Sequence, residues 1–441
     1  MSGRILFAPV STVLAHAGRC AMIARELGRR GHVVFLAGAD RFLRDWARED
    51  GHLRYVELPD IPAGEGLHIL RSLWRTPDRR WLEMHVRAEL ELLDRLKPDI
   101  VVVDFRLTMF ISARVRRVPL VSLLGGRWLY PYAAKPYRAF RTAPAFWWRR
   151  FLGRRIGEAV ISRGFPQLLR YKIRPYRRLL VRYGLEPKRD VWELFLGDLN
   201  LIVDSEVLAP TRPLPENFVR VGPVYWEPAL PEPEWLEEWT AVRPVFYVTL
   251  GSTGHPLLFR QLLKVLVPYR VILTTGRQIT FAPEEIPANV RVETFLPGRK
   301  VMERADVVIC HGGAGTIYQA IAAGTPCLII ATHFEQELLG QEIEEQGAGR
   351  LLALPEVLGK EEVLRQAVEE MLRHRAEYAR NMQRLHRAHH GWDGVRAAAD
   401  AIEAFLSERG RALAAVGVSG VPARSSGARG SLVAPEARGE R

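Results

Sequence analysis

The chain holds three cysteines, Cys20, Cys310 and Cys327, in 441 residues. So few exclude the disulfide-stapled secreted scaffolds and fit a reducing compartment. No apolar run approaches the ~18 residues needed to cross a bilayer. The N-terminus lacks the basic start and long apolar stretch of a secretory signal, so a cytoplasmic location is expected. No G-x-x-x-x-G-K-[ST] loop and no G-x-S-x-G elbow occurs, which removes P-loop NTPases and α/β-hydrolases. No repeat recurs at a period of ~20–50 residues. Acid is scarce in one place: from Arg127 to Arg182 there are fifteen Arg or Lys and one carboxylate, Glu158. Its fifteen cations less one carboxylate exceed the chain's whole net charge of +13, so the rest of the chain is close to neutral.

What is present is a rhythm of short apolar runs and helical stretches. "RILFAPV", "HVVFLAG", "HLRYVEL", "IVVVD", "VPLVSLLGG" and "LNLIVDS" read as strands of a first domain, with a long helical stretch expected over Leu67–Leu96. "GPVYWEPALPEPEWLEEW", rich in proline and acid, reads as a linker. The rhythm then restarts with "PVFYVTLGS", "YRVILTTG", "VRVETFLPG", "ADVVICHGG" and "TPCLIIATH". Strands alternating with helices argue an α/β fold with two doubly wound, Rossmann-like sheets, whose ligands lie at the C-terminal strand ends, in a cleft between the domains. The expected division is 1–222, a linker 223–240, a second domain 241–390, a helix 391–407 returning towards the first domain, and a tail 408–441 without order.

"CHGGAGTIYQAIAAGTP" (Cys310–Pro326) is a strand end, a glycine turn and a helix start. A helix N-terminus carries free N–H groups and partial positive charge, and glycine lets a ligand approach the backbone. Thr316 is expected to cap the helix and His311 to donate from its ring, an arrangement that suits a diphosphate. "VTLGSTG" (Val248–Gly254) has the same form and offers Gly251 and Ser252. A dinucleotide fingerprint would want a glycine where Tyr318 stands. The remaining alternative is a glycine turn that serves only packing.

The segment "FLPGRKVMERADVVICHGGAGTIYQAIAAGTPCLIIATHFEQELLGQEIEEQGAG" resembles the donor-binding signature of GT-B nucleotide-sugar glycosyltransferases of the UDP-glycosyltransferase type, and the likeness extends over roughly Arg4 to Phe405. The resemblance implies that His311, Gly313, Gly315 and Thr316, with Gly251 and Ser252, hold the donor diphosphate. It implies that Phe295 stacks on the nucleobase, that Leu296 backbone groups read its edge, and that Glu335 and Gln336 bind sugar hydroxyls. "VGPV" at Val221 matches the family's entry to the linker. Gln319 stands where many members have a ribose-binding glutamate, Gly298 where glutamine is common, and Leu339 where asparagine is frequent. These departures bear on the nucleotide, UDP or dTDP, more than on the reaction.

Sugar transfer needs a base for the acceptor hydroxyl, and a histidine near neutral pH suits it. His16 in "VSTVLAHAGR" lies at the cleft end of the first domain, where the family places its catalytic base. Asp104, ending "IVVVD", can hold the other ring nitrogen. His32 begins a strand at the opposite end. His386 and His390, four apart in "LHRAHHGWDG", read as a basic helix end rather than a metal pair. No cofactor and no metal are expected beyond the nucleotide-sugar co-substrate.

The block 127–182 mixes its cations with aromatics, Trp147, Trp148 and Phe151 among Arg149, Arg150, Arg154 and Arg155. It reads either as helices with solvated basic faces or as an interfacial surface for anionic lipid, and it lacks any nucleic-acid module. The expected protein is therefore an inverting hexosyltransferase acting on a lipophilic acceptor, peripheral on the inner membrane face. The alternatives are a nonhydrolysing UDP-sugar epimerase or a catalytically silent, membrane-docked partner subunit.

Overall fold

The computed structural model describes residues 2–72, 75–135, 137, 141–142, 154–227, 230–251 and 254–417. Seven parallel strands form the first sheet: β1 (Arg4–Pro9), β2 (Val33–Gly38), β3 (Leu53–Glu57), β4 (Ile100–Asp104), β5 (Leu120–Leu124), β6 (Leu199–Ile202) and β7 (Phe218–Arg220). Their order is β3-β2-β1-β4-β5-β6-β7. The second sheet has six: β8 (Val245–Thr249), β9 (Arg270–Thr274), β10 (Val290–Glu293), β11 (Val307–Cys310), β12 (Cys327–Ala331) and β13 (Gly349–Ala353), in the order β10-β9-β8-β11-β12-β13. The two-domain α/β expectation is met.

Each sheet is covered on both faces, which is why its strands read as continuous apolar runs. Along β1, Leu6 and Ala8 enter one core and Ile5 and Phe7 the other. Along β8, Tyr247 and Phe246 divide in the same way. The order of each sheet reverses once, between β1 and β4 and between β8 and β11. At those switch points the paired strands end together, Pro9 opposite Asp104 and Thr249 opposite Cys310. Loops diverging from a switch point leave a crevice at the strand ends.

Several expectations need correction. The stretch 67–96 is two helices, Ala63–Arg71 and Arg79–Leu96. The second is started by Asp78, whose carboxylate accepts from Arg80 N (2.7 Å) and Trp81 N (3.3 Å). A seventh strand, β7, follows "LNLIVDS" and pairs with β6. The stretch read as a linker ends in a helix, Leu236–Thr240, with Leu236 buried in the second domain's core. The tail is helical at its start: the helix Gly394–Gly417 runs past residue 407.

That last helix lies on the first helix, Leu14–Arg29, and sends Ala398, Ala399 and Ile402 into the first domain's core. Arg30 pairs there with Asp400 (2.6 Å) and Glu403 (2.7 Å), and His32 with Glu403 (3.0 Å). The chain leaving the first domain touches the chain returning to it: Gly222 lies against Trp392, and Gly394 against the Pro223 carbonyl. All three cysteines are buried and free.

Candidate active site

Asp104 closes β4 and is fully buried. His16, the third residue of the first helix, lays its ring beside it, with Nδ1 2.7 Å from Asp104 Oδ1. The carboxylate is wholly enclosed, whereas the imidazole keeps 13 % of its side-chain surface exposed. A residue that the sequence reading missed completes the group. Arg19 Nε donates to Asp104 Oδ2 (2.9 Å) and Nη2 to Oδ1 (3.1 Å), and Nη2 is 3.0 Å from His16 Nδ1. Burial pushes the Asp104 carboxyl up, but Arg19 and His16 outweigh it and hold it below the usual carboxylate range.

Phe105 follows with φ +66°, a left-handed backbone unusual for a bulky residue. This turns its ring onto His16, stacked at 4.9 Å. Trp128 and Phe195 brace it edge-on, each at 4.7 Å. Such strain persists only where the surroundings over-determine it, and it clusters at functional sites.

At the second sheet's switch point, β11 leads through Gly312–Gly313 into the helix Ala314–Ala323. Its N-cap is Gly313, without a side-chain cap, so the expectation that Thr316 caps it is corrected: Thr316 and Gly315 lie within the first turn. The His311 ring is enclosed by glycines. A Cβ on Gly251 would meet His311 Cε1 at 2.5 Å, and one on Gly313 would meet Nε2 at 2.7 Å. Gly251 also has φ +59°. Any larger residue at either position would displace the ring. Burial, with His333 nearby, lowers the His311 pKa to about 3, so the ring is neutral at working pH. Its Nδ1 has no hydrogen-bond partner among the described residues.

The other expected donor-site residues surround this turn. Phe295 is 38 % exposed, with the Arg277 guanidinium 5.4 Å from its ring centre. Leu296 is buried in the core. Gln319 donates from Nε2 to the Trp226 carbonyl (3.1 Å), and its Oε1 fills the space that Gly298 leaves. Gln336 turns its Oε1 back to Thr332 N (2.8 Å) and Oγ1 (2.9 Å). Glu335, beside it, is half-buried, and its charge reaches Arg19 and Arg127 of the first domain. Ser252 lies outside the described residues.

The two domains are tied beside the site. Tyr318, where a dinucleotide fingerprint would have glycine, donates its hydroxyl to Asp204 Oδ1 (2.9 Å) and accepts from Ser205 N (3.0 Å). Asp204 also accepts from Gly126 N (2.6 Å) and from Arg127 (3.4 Å). Trp128 meets Phe334, at the start of the helix Phe334–Glu345, at 5.1 Å. Arg127 and Trp128 are therefore interior groups, not the solvated head of a basic face. Trp147, Trp148, Phe151, Arg149 and Arg150 lie outside the described residues, as do the side chains of Arg154 and Arg155.

The molecule is thus a pair of parallel-sheet α/β domains, each with polar groups at its switch point. Residues 263–393 match the model of the erythromycin biosynthesis protein CIII-like C-terminal domain. The chain is 31 % identical over 353 residues to a PGL/p-HBAD biosynthesis rhamnosyltransferase of Mycobacterium bovis (strain BCG / Pasteur 1173P2), covering 79 % of this chain and 76 % of that one. It is 32 % identical over 355 residues to a PGL/p-HBAD biosynthesis glycosyltransferase of Mycobacterium tuberculosis (strain ATCC 25177 / H37Ra), covering 79 % and 80 %. CalG4, the calicheamicin glycosyltransferase, has the same fold, with a TM-score of 0.63 at 24 % identity over 92 % of this chain and 98 % of that one. The chain belongs to the GT-B glycosyltransferases.

Proposed function

We propose that this glycosyltransferase moves a hexose, with inversion, from a pyrimidine nucleoside diphosphate sugar to a hydroxyl of a lipophilic glycolipid or natural-product acceptor. The observation that carries the reading is the placement of two complementary groups at the two switch points: His16 on Asp104 at one, and His311 between Gly251 and Gly313 at a helix N-terminus at the other. Its relatives include a rhamnosyltransferase, which supports a hexose or deoxyhexose as the group transferred.

In this reading His16 Nδ1–H donates to Asp104, which leaves the Nε2 lone pair to take the acceptor's proton. The acceptor oxygen bonds to the anomeric carbon as the bond from that carbon to the diphosphate oxygen breaks. The electron pair leaves on the diphosphate. Free N–H groups at Ala314–Thr316 and the neutral His311 ring receive that charge, a task preorganised dipoles perform without added reorganisation. No metal is assigned a part. Phe295 stacks on the base, and Glu335 takes the sugar hydroxyls. UDP is the expected nucleotide; dTDP competes with it, because Gln319 is bound to Trp226 and offers no carboxylate to a ribose. A thermal-shift screen with UDP, dTDP, GDP and their sugars tests this. A rise with one pyrimidine diphosphate, and a larger one with a single sugar, is expected; no rise with any nucleotide would overturn it.

The surface beyond residue 154 supports peripheral membrane contact. Ile156, Val160 and Val181 are 57, 43 and 62 % exposed, and Arg79, Arg177, Arg178 and Arg182 share an open surface with Val181 and Pro187. Among the described residues no helix is long and apolar enough to cross a membrane. Sedimentation with anionic vesicles at low salt, lost with neutral ones, is the expected result; equal sedimentation with both would overturn it.

A further inference from the structure

We infer that Arg19 is a positioning residue that holds the Asp104 carboxylate in the orientation that puts the His16 proton on Nδ1, an inference that rests on the reading of His16 as the base. Two groups compete for His16 Nδ1: Asp104 Oδ1 at 2.7 Å and Arg19 Nη2 at 3.0 Å. A guanidinium can only donate, and a carboxylate can only accept. Nδ1 therefore either donates to Asp104 or accepts from Arg19. The first choice leaves a lone pair on Nε2; the second puts a hydrogen there and blocks proton uptake. The tautomer thus depends on where Arg19 directs its N–H groups.

The geometry answers this. Nε and Nη2 both point at the carboxylate, one to each oxygen, at 2.9 and 3.1 Å. This fork holds the plane of Asp104 so that Oδ1 is aimed at the ring. Both groups are buried, so neither has water to replace the other. Arg19 also lies on the helix that carries His16, three residues on, which keeps the two side chains on one face.

The test is steady-state kinetics and the 15N spectrum of the histidine rings on Arg19→Met and Arg19→Lys, with His16→Ala in parallel and a thermal melt of each. Arg19→Met is expected to lower kcat by about tenfold to a hundredfold while donor KM stays within about twofold. Its His16 ring 15N signals, assigned by comparison with His16→Ala, are expected to lose the Nδ1–H form that the wild type holds. Arg19→Lys keeps a donor but not the fork, so it should recover only part of kcat and of that signature. A wild-type His16 tautomer in Arg19→Met overturns the inference, whether kcat is unchanged or falls only in step with melting temperature. An inert His16→Ala beside that result confines the failure to Arg19. An active His16→Ala overturns the base assignment itself.

Discussion

Replacing Asp104 by asparagine preserves shape and removes charge, which makes it the most informative single change at this site. Asp104 receives three hydrogen bonds, from His16 Nδ1 and from two nitrogens of Arg19, and has no exposed surface. An amide can accept through one atom only. Its NH2 end must then face either the guanidinium or the ring N–H, donor against donor. Arg19, with only 10 % of its side chain exposed, loses its nearest counter-charge. Breaking a buried ion pair from one side costs about 3–5 kcal/mol. For a domain of this size that is a loss of melting temperature on the order of 10 °C. The effect on rate has a separate origin. Without the carboxylate, His16 Nδ1 is free to accept from Arg19, and the proton moves to the nitrogen that should be empty. In a serine-protease triad the same exchange costs about 10⁴-fold, and a loss of about 10³–10⁴ is expected here.

Acid gives a second readout of the same residue. The folded-state carboxyl is held below its unfolded value, so its contribution to stability is complete above that value and is lost as pH falls through the lower, folded one. The wild type should therefore lose stability below about pH 4 more steeply than Asp104→Asn. Thermal melts and initial rates of transfer measure both effects. An asparagine variant with wild-type rate and wild-type melting temperature would show that the Arg19–Asp104–His16 group is neither catalytic nor structural.

Three further outcomes follow from the donor side and the interdomain tie. His311 stays neutral down to about pH 3 in the folded protein, whereas an unfolded histidine titrates near ~6.5. The unfolded chain binds the extra proton in that window, so stability falls as pH drops, by up to about 1.4 kcal/mol per unit; His311→Asn should flatten this part of the pH–stability curve. Gly251→Ala places a methyl 2.5 Å from His311 Cε1 on a backbone of φ +59°. Left-handed strain of about 1–2 kcal/mol plus overpacking of about 1–3 should weaken nucleotide affinity at least tenfold by calorimetry and leave the first domain intact. Tyr318→Phe removes the hydroxyl shared by Asp204 and Ser205 N, all buried. A stability loss of about 1–3 kcal/mol is expected in denaturant melts, with unchanged far-UV circular dichroism.

Much of this was legible in the sequence, and the exceptions have identifiable causes. "IVVVD" and "ADVVICHGG" announce buried parallel strands, and the glycines after Cys310 announce the turn. Each signal is local, because burial on both faces and glycine punctuation are written into consecutive residues. Thr76-Pro77-Asp78 also carried a helix start that the reading as one long helix passed over. Strand β7 is short, and its three residues have no pattern of their own until β6 lies beside them. The helix beyond residue 407 follows from alanine-rich "RALAAVG", good helix-forming sequence that composition alone set aside. Arg19 was invisible for a different reason. An arginine on a surface-type helix reads as solvated until the fold sets a buried carboxylate, 85 positions on, against it. Asp204 and Tyr318 are likewise 114 positions apart and belong to different domains. Spacing identifies which residue types lie at the strand ends; only the packed domains show which of them touch.

The central claim is that His16 takes the acceptor's proton while the His311 turn holds the donor. Single-turnover sugar transfer by His16→Ala, measured beside its calorimetric donor affinity, tests it most directly. A fall in transfer of about 10²–10⁴-fold with donor affinity unchanged is expected. Transfer at the wild-type rate, or a loss that follows donor affinity alone, would contradict it.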